Sequence, residues 1–132
     1  MTQRNIDVMD IIVNKMVEGE KLSKALEYVY TKRKVAIPFN DEDFDVGLDT
    51  LKMTMRTTNA LRSVGAYTIN DVIEVHQRIS LKNIRNLGRK SGIELLETIL
   101  DYCWDRMDNN ERTLFLIDTV ERNSDNIREG IA

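Results

Sequence analysis

The sequence predicts an all-α protein, because helical signals recur along most of its 132 residues. Apolar residues repeat at three- and four-residue spacing in several stretches, as amphipathic helices require. Capping signals open many of these stretches, and two glycine-centred turns separate pairs of them. One proline and six glycines exclude collagen-like, proline-rich and linker-dominated chains. We expect a compact multi-helix domain with two helical corners in tandem, extended by further helices at its N- and C-terminal ends.

The first 32 residues predict two helices. Residues 5–18 have an apolar side at helical spacing and end near Gly19, a residue type that favours the C-terminal cap. Residues 21–32 repeat the pattern and predict the second helix. The apolar positions of the two helices are Ile6, Met9, Ile12, Val13, Met16, Val17, Leu22, Ala25, Leu26, Val29 and Tyr30.

A change of composition then suggests a domain boundary. Residues 33–39 are rich in β-branched side chains but contain Pro38, which lacks an N–H, so they predict a short extended segment and not a central strand. The acidic run at 40–45, followed by Gly47, favours a solvated connector over a binding tail. We therefore expect residues 1–47 to form an N-terminal helical extension with an acidic connector.

Short apolar runs and capping signals alternate over residues 48–107, which predicts a separate helical domain. The residues that begin or end its elements are, in order, Thr57, Thr58 or Asn59, then Thr68 with Asp71, Ser80 and Gly88. Thr68 and Asp71 have the spacing of a capping box, with Asp in place of the usual Glu or Gln. A longer helix follows Gly88 and reaches Trp104.

The last segment, residues 108–132, predicts one more helix and a frayed tail. Asp108 and Glu111 form a capping box ahead of an apolar pattern that reaches Val120. Periodicity is lost from Asn123 onward, which is typical of a terminus without regular structure.

A repeat within residues 48–107 is the sharpest pattern in the sequence. Residues 61–65 and 84–88 both read apolar–Arg–polar–apolar–Gly, and a new helix is predicted soon after each glycine. Glycine permits a positive φ, and a helix N-terminus offers unbonded N–H groups that suit a phosphate oxygen. Each copy predicts either a phosphate-binding corner or an ordinary helix corner; the cations around both favour phosphate.

Charge is distributed unevenly. The protein has a net charge of −3. Residues 52–92 hold eight cations and two anions, a sum of +6, and the remaining 11 cations and 20 anions give −9. Such a basic segment indicates either a solvated cationic face or a site that attracts a polyanion.

No catalytic, metal or cofactor site is expected. One His and one Cys leave too few ligands for a structural zinc site, and no nucleophile–base set is visible. His76 is interpreted as a surface or helix-packing residue and Cys103 as a core residue. The unpaired cysteine, together with the lack of a signal-peptide pattern and of long apolar runs, predicts a cytoplasmic protein without a membrane partner.

Two motifs carry a resemblance to a known family. Residues 53–62 read Met-Thr-Met-Arg-Thr-Thr-Asn-Ala-Leu-Arg, and residues 86–91 read Asn-Leu-Gly-Arg-Lys-Ser. Because the two motifs occur in this order and at this separation, residues 52–107 resemble the C-terminal domain of the bacterial RNA polymerase alpha subunit, which is of the helix-hairpin-helix type. The resemblance covers somewhat under half of the sequence. It implies binding to the minor groove of A·T-rich double-stranded DNA.

The resemblance also implies a set of DNA-binding residues. They are Arg56, Asn59, Arg62, Asn86, Gly88, Arg89, Lys90 and Ser91. Arg56 would enter the groove, Asn59 would contact the backbone or base edges, and Arg62 would contact a phosphate.

At the second motif the resemblance implies phosphate binding. Gly88 would bring the backbone close to a phosphate, Lys90 would pair with it and Ser91 would hydrogen-bond to it. Asn86 would hold the loop or touch DNA.

The sequence also departs from the family. The alpha subunit's large N-terminal domain does not fit into about 48 residues, so we expect a free-standing relative. Thr50 and Lys52 stand where the family often has acidic residues that contact a sigma factor. The leading hypothesis is a non-enzymatic DNA-binding protein that acts in transcription, without a cofactor. The alternatives are a module that docks on RNA polymerase or a sigma factor, and an accessory piece of a repair or replication enzyme. The oligomeric state stays open.

Overall fold

The computed structural model describes residues 1–31, 35–39, 47–51, 53–79, 81–84 and 87–131. Across these ranges it contains six α-helices, two short 3₁₀ turns and no β-strand, which confirms the all-α prediction. The helices are α1 (Gln3–Val17), α2 (Leu22–Val29), α3 (Met55–Ser63), α4 (Ile69–Ile79), α5 (Arg89–Arg106) and α6 (Asn109–Arg122). The 3₁₀ turns are Leu48–Thr50 and Leu81–Asn83.

The protein divides into two compact units. One combines Met1–Pro38 with Leu100–Ala132, and the other is Phe39–Ile99. The first is called the terminal unit below, and the second the central unit. This division differs from the predicted segments 1–47, 48–107 and 108–132, because the two ends of the sequence fold together in one unit.

Local signals set the limits of α1. Thr2 caps its first turn, since the Thr2 hydroxyl accepts a hydrogen bond from the Asn5 N–H at 3.2 Å. Gly19 ends the helix with a φ of +108°, and the N–H groups of residues 19 and 20 donate to the carbonyls of Met16 and Lys15. These two bonds form a Schellman motif. The predicted glycine cap is therefore confirmed.

The second helix ends earlier than predicted, and the tail is not frayed. Tyr30 is extended rather than helical and forms an isolated β-bridge with Ile127. The Arg128 N–H donates to the Val29 carbonyl at 2.8 Å, and the Thr31 N–H donates to the Asn126 carbonyl at 3.2 Å. The tail thus supplies the backbone partners that another turn of α2 would have used, which ends the helix at Val29 and orders the tail.

A buried asparagine secures the connector that follows. Asn123 is 1% exposed; its side-chain oxygen accepts from the Ala36 N–H at 2.8 Å, and its amide donates to the Ala36 carbonyl at 2.9 Å. The same amide donates to the Thr119 carbonyl at 2.8 Å. One side chain therefore satisfies both backbone groups of Ala36, as a neighbouring strand would. Residues 35–39 are non-helical, which agrees with the predicted extended segment; residues 33–34 and the acidic run 40–45 lie outside the described ranges.

The start of α2 depends on a residue distant in sequence. Its N-cap position, Lys21, makes no capping bond through its own side chain. Asp101 of α5 takes this role: its carboxylate accepts from the Ser23 N–H at 2.9 Å and from the Ser23 hydroxyl at 2.6 Å. Ser23 is buried, so losing the carboxylate would leave two polar groups without their partner.

We expect Asp101→Ala to lower the free energy of unfolding by about 1.5–3 kcal/mol, the range for hydrogen bonds to a charged group. Asp101→Asn keeps one acceptor and should cost less. Asp105→Ala, at an exposed position one turn further along the same helix, serves as the matched control. Urea unfolding of the three variants tests this expectation, and equal midpoints for Asp101→Ala and Asp105→Ala would contradict the capping role.

The central unit is built around α3, α4 and the first part of α5. Its buried apolar residues are Leu48, Leu51, Ala60, Leu61, Ala66, Ile69, Val72, Ile73, Val75, Leu81, Ile84, Leu87, Leu95 and Ile99. An isolated β-bridge joins Gly47 to Thr68, and the Leu48 N–H donates to the Tyr67 carbonyl at 3.2 Å. These contacts bring the residues before α3 against the start of α4.

Candidate nucleic-acid interface

The N-cap of the helix that carries Arg56 lies three residues before Thr57, the earliest of the predicted caps. Thr54 is the N-cap of α3, because its hydroxyl oxygen accepts from the Thr57 N–H at 3.2 Å. The Thr58 hydroxyl donates back to the Thr54 carbonyl at 3.1 Å. Arg56 consequently lies inside the first helical turn and not ahead of the helix. The prediction that Thr57, Thr58 or Asn59 opens the helix is wrong, because Thr54 supplies the cap. The capping-box position three residues after Thr54 holds neither Glu nor Gln, so the sequence did not mark this cap.

The first glycine corner is a Schellman motif. Gly65 has a φ of +84°, its N–H donates to the Arg62 carbonyl, and the Ala66 N–H donates to the Leu61 carbonyl, both at 3.0 Å. A Cβ added at Gly65 would meet no atom within 4 Å. The positive φ, and not a shortage of space, is therefore what requires glycine here.

The predicted capping box at the start of α4 is confirmed. The Asp71 N–H donates to the Thr68 hydroxyl, and the Asp71 carboxylate accepts from the Thr68 N–H, both at 3.1 Å. The same carboxylate accepts from the Tyr67 N–H at 3.0 Å. Aspartate is shorter than the usual glutamate, yet it satisfies two N–H groups of the corner.

The second glycine corner shares a positive φ with the first. Gly88 has a φ of +85°, nearly the value at Gly65, and a Cβ there would also meet no atom within 4 Å. The Gly92 N–H donates to the Gly88 carbonyl at 3.0 Å, which is the first backbone bond of α5. The N–H groups of Arg89, Lys90 and Ser91 therefore lie in the first turn, where the helix itself offers no acceptor.

The predicted site residues fall into two groups within the central unit. Arg56, Asn59 and Arg62 are exposed on α3, and the spacing of three residues puts Arg56 and Asn59 on neighbouring positions of one face. The second group is Gly88, Arg89 and Lys90, which are exposed, and Ser91, which is half-buried. No hydrogen bond or ion pair joins the two groups in the part of the protein that the structure describes. Asn86 lies outside the described residues, as do Lys52 and Arg85.

Lys90 has one weak protein partner. Its Nζ lies 4.0 Å from the Glu94 Oε1 one helical turn away, and the two side chains are 92% and 62% exposed. Exposed pairs of this kind contribute little, about 0.3–0.5 kcal/mol on a helix. The ion pair therefore leaves Lys90 free to exchange Glu94 for an external anion.

An open groove of about 850 Å³ runs beside α3, and its apolar rim was not predicted. Met55 and Tyr67 line it while remaining 72% and 58% exposed, and Arg62 lies at the same groove. Residue type alone does not show that Met55 is exposed.

The titratable groups with shifted pKa values do not indicate catalysis. Burial raises the pKa of the Cys103 thiol to about 12, so the thiol stays protonated at neutral pH and is a poor nucleophile. Burial likewise raises the pKa of Tyr30 to about 12. The described residues contain no cluster of three or more His, Cys, Asp or Glu able to hold a metal. None of the helices described combines the length and apolar character needed to cross a membrane.

The central unit coincides with the part of the sequence that matches a known family. Residues 38–101 match the model of the C-terminal domain of the bacterial RNA polymerase alpha subunit. "DNA-directed RNA polymerase subunit alpha" from Mesomycoplasma hyopneumoniae (strain 7448) is 39% identical over 59 residues, which are 45% of this protein and 18% of that one. The subunit of the same name from Aquifex aeolicus (strain VF5) is 28% identical over 85 residues, 61% of this protein and 26% of that one. The matched region thus spans about a fifth to a quarter of these polymerase subunits.

A further relative has a different description. An "eEF1A lysine and N-terminal methyltransferase homolog" from Drosophila melanogaster is 34% identical over 102 residues, 76% of this protein but 14% of that one. No solved structure shows significant similarity to the protein.

Residues 38–101 therefore form a domain like the C-terminal domain of the polymerase alpha subunit, as the two sequence motifs indicated. The matching family is a DNA-binding domain and not a catalytic one. The match supports a DNA-binding role connected with transcription.

Proposed function

We propose that this protein is a non-enzymatic DNA-binding protein that acts in transcription by contacting the minor groove and phosphates of A·T-rich duplexes. The observation that carries the proposal is the pair of positive-φ glycine corners at Gly65 and Gly88, each adjoining exposed cations, within the range that matches the alpha-subunit domain. Two such corners can hold a duplex backbone at separate points.

In this proposal α3 delivers the groove contact. Arg56 enters a narrow A·T minor groove, where the negative potential is stronger than in G·C-rich DNA. Asn59, one turn along the same face, contacts the backbone or base edges, and Arg62 contacts a phosphate. The Thr54 cap supports this role, because it holds the first turn of α3 and with it the backbone of Arg56.

The start of α5 provides the phosphate contact. The first-turn N–H groups and the positive end of the helix dipole favour a phosphate oxygen. Lys90 adds a charge and Ser91 a hydroxyl donor, while Gly88 leaves the backbone uncovered by a side chain. Arg89 adds a second exposed cation beside the same turn.

A second candidate is a protein contact with RNA polymerase or a sigma factor. The exposed Met55 and Tyr67 at the groove beside α3 favour it, since aromatic residues and methionine are enriched in protein interfaces. The two roles share Arg62, which lines the groove and is also assigned a phosphate contact, whereas the second glycine corner uses other residues.

Salt dependence of DNA binding by the full-length protein tests the leading proposal. If about four to six phosphates are neutralised, log affinity should fall with log salt at a slope near −4 to −5. Fluorescence anisotropy of labelled A·T-rich and G·C-rich duplexes at several salt concentrations measures both the slope and the base preference. A flat slope, or no binding at low salt, would exclude the DNA-binding proposal.

We expect Lys90→Ala to weaken binding to all duplexes alike and to reduce the steepness of the salt slope by about one unit, because one phosphate contact is lost. The matched control is Lys24→Ala, which removes an exposed lysine that pairs with Glu27 in the terminal unit. The same anisotropy titrations measure both variants. An unchanged salt slope in Lys90→Ala would show that the second glycine corner is not part of the DNA interface.

A further inference from the structure

The two glycine corners share a residue pattern, but the helices that follow them begin differently. α4 begins with Ile-Asn-Asp at 69–71, and α5 begins with Arg-Lys-Ser at 89–91. The third helical position is therefore Asp71 after the first corner and Ser91 after the second. This position matters because its side chain can reach back to the N–H groups that precede the helix.

At the first corner, Asp71 occupies N–H groups that a phosphate would otherwise bind. Its carboxylate accepts hydrogen bonds from the Tyr67 N–H at 3.0 Å and from the Thr68 N–H at 3.1 Å. The Asp71 N–H in turn donates to the Thr68 hydroxyl at 3.1 Å. A carboxylate at this place also offsets the positive end of the helix dipole. The anion at the start of α4 is therefore one that the protein itself supplies.

The second corner has the opposite character. The first turn of α5 contains no acidic residue. Among the residues that the structure describes, no side chain accepts a hydrogen bond from the N–H groups of Arg89, Lys90 or Ser91. Arg89 and Lys90 are exposed and add two positive charges to the same turn.

A phosphate would consequently meet different surroundings at the two corners. At the second corner it meets N–H donors and two cations, all of which favour an anion. At the first corner it meets the carboxylate of Asp71, and two like charges placed together repel each other. The repeated sequence pattern thus produces two corners that are not electrostatically equivalent.

We propose that Asp71 excludes DNA phosphates from the backbone of the first glycine corner, so that only the second corner binds a phosphate through its N–H groups. The first corner then contributes to the duplex contact through the side chain of Arg62. Asp71 is in this way a specificity-determining residue, because it decides which of two similar corners the phosphate occupies. The proposal rests on the DNA-binding function proposed above and assigns unequal roles to the two corners.

Removing the charge of Asp71 tests the proposal directly. Asp71→Asn keeps one oxygen that accepts an N–H bond, and we expect it to raise the affinity of the full-length protein for A·T-rich and G·C-rich duplexes about threefold at low salt. The gain should shrink as the salt concentration rises, because salt screens the repulsion that the variant removes. Two controls accompany it. Glu74→Gln removes an exposed carboxylate one turn further along α4, and Asp71→Glu keeps the charge; both should bind DNA like the wild type.

The reciprocal variant places a carboxylate at the second corner. Ser91→Asp gives α5 the third residue of α4 and should weaken binding to both duplexes at least tenfold, because the carboxylate takes the place of a phosphate. Ser91→Ala removes only the hydroxyl and should weaken binding less. Aspartate is well tolerated in the first turn of a helix, so the fold should be retained. Fluorescence anisotropy measures the affinities, and circular dichroism checks the helical content of each variant.

Tighter DNA binding is an outcome that a purely structural cap would not produce, since losing such a cap leaves affinity unchanged or lowers it. The proposal is overturned if folded Asp71→Asn binds no more tightly than the wild type. It is also overturned if Glu74→Gln raises the affinity equally, because the effect would then be one of overall charge. Both outcomes leave the DNA-binding function standing, whereas a wild-type protein that binds no DNA would overturn the function and this proposal together. Should Asp71→Asn fail to fold, Asp71→Ser, which matches the third residue of α5, takes its place in the same comparison.

Discussion

Arg56→Ala is expected to weaken binding to A·T-rich duplexes by about 1–3 kcal/mol and to abolish the preference over G·C-rich duplexes. Arg56 is exposed in the first turn of α3 and is not part of the core, so the melting temperature should stay at the wild-type value. The loss of base preference distinguishes this variant from Lys90→Ala, which should weaken binding to all duplexes alike. Anisotropy titrations with both duplexes, alongside a thermal melt, measure the three quantities.

The protein offers a closely matched control for this experiment. Arg4 occupies the second position of α1, as Arg56 does in α3, and both are exposed. Arg4→Ala removes the same charge from the terminal unit and should change neither affinity nor preference measurably. If Arg56→Ala behaves like Arg4→Ala while both remain folded, Arg56 is not the groove residue, and the exposed surface of α3 would fit an acidic protein partner better.

The largest expected effect on stability is that of Asn123→Ala, about 2–3 kcal/mol lower free energy of unfolding. The substitution removes three hydrogen bonds of 2.8–2.9 Å and leaves the buried end of α6 without its contact to Ala36. For a protein of this length the melting temperature should fall by roughly 6–12 °C. Differential scanning calorimetry gives both quantities.

Two further asparagine variants separate the hydrogen bonds from general effects of substitution. Asn126 makes one long side-chain bond, to the Thr31 carbonyl at 3.4 Å, so Asn126→Ala should cost under about 0.5 kcal/mol, as is usual for sites away from the core. Asn123→Asp keeps the acceptor for the Ala36 N–H but brings a carboxylate against two carbonyl oxygens. It should therefore be at least as unstable as Asn123→Ala. A stable Asn123→Asp would show that the Ala36 and Thr119 carbonyls do not need the amide.

Several features of the fold and the candidate site follow from residues close together in sequence. The capping boxes at Thr68 and Asp108, the cap at Gly19 and the glycine turns at Gly65 and Gly88 were all predicted, because each depends on a side chain and backbone within about five residues. The same locality made the two motifs of the alpha-subunit domain recognisable, since both are short: residues 53–62 precede the Gly65 corner and residues 86–91 contain the Gly88 corner. The roles of Arg56 and Lys90 on DNA remain predictions.

The organisation of the two ends of the sequence depends on contacts between residues that are far apart in the sequence. Asp101 caps α2 from 78 residues away, and Asn123 holds Ala36 from 87 residues away. The tail ends α2 at Val29 by pairing with it, which no periodicity within residues 21–32 could indicate. The helical stretches and the glycine corners could be predicted from the sequence, because local backbone energetics favour them. The grouping of residues 1–38 with 100–132 could not be predicted in this way, because buried polar groups find their partners across the fold and not between sequence neighbours.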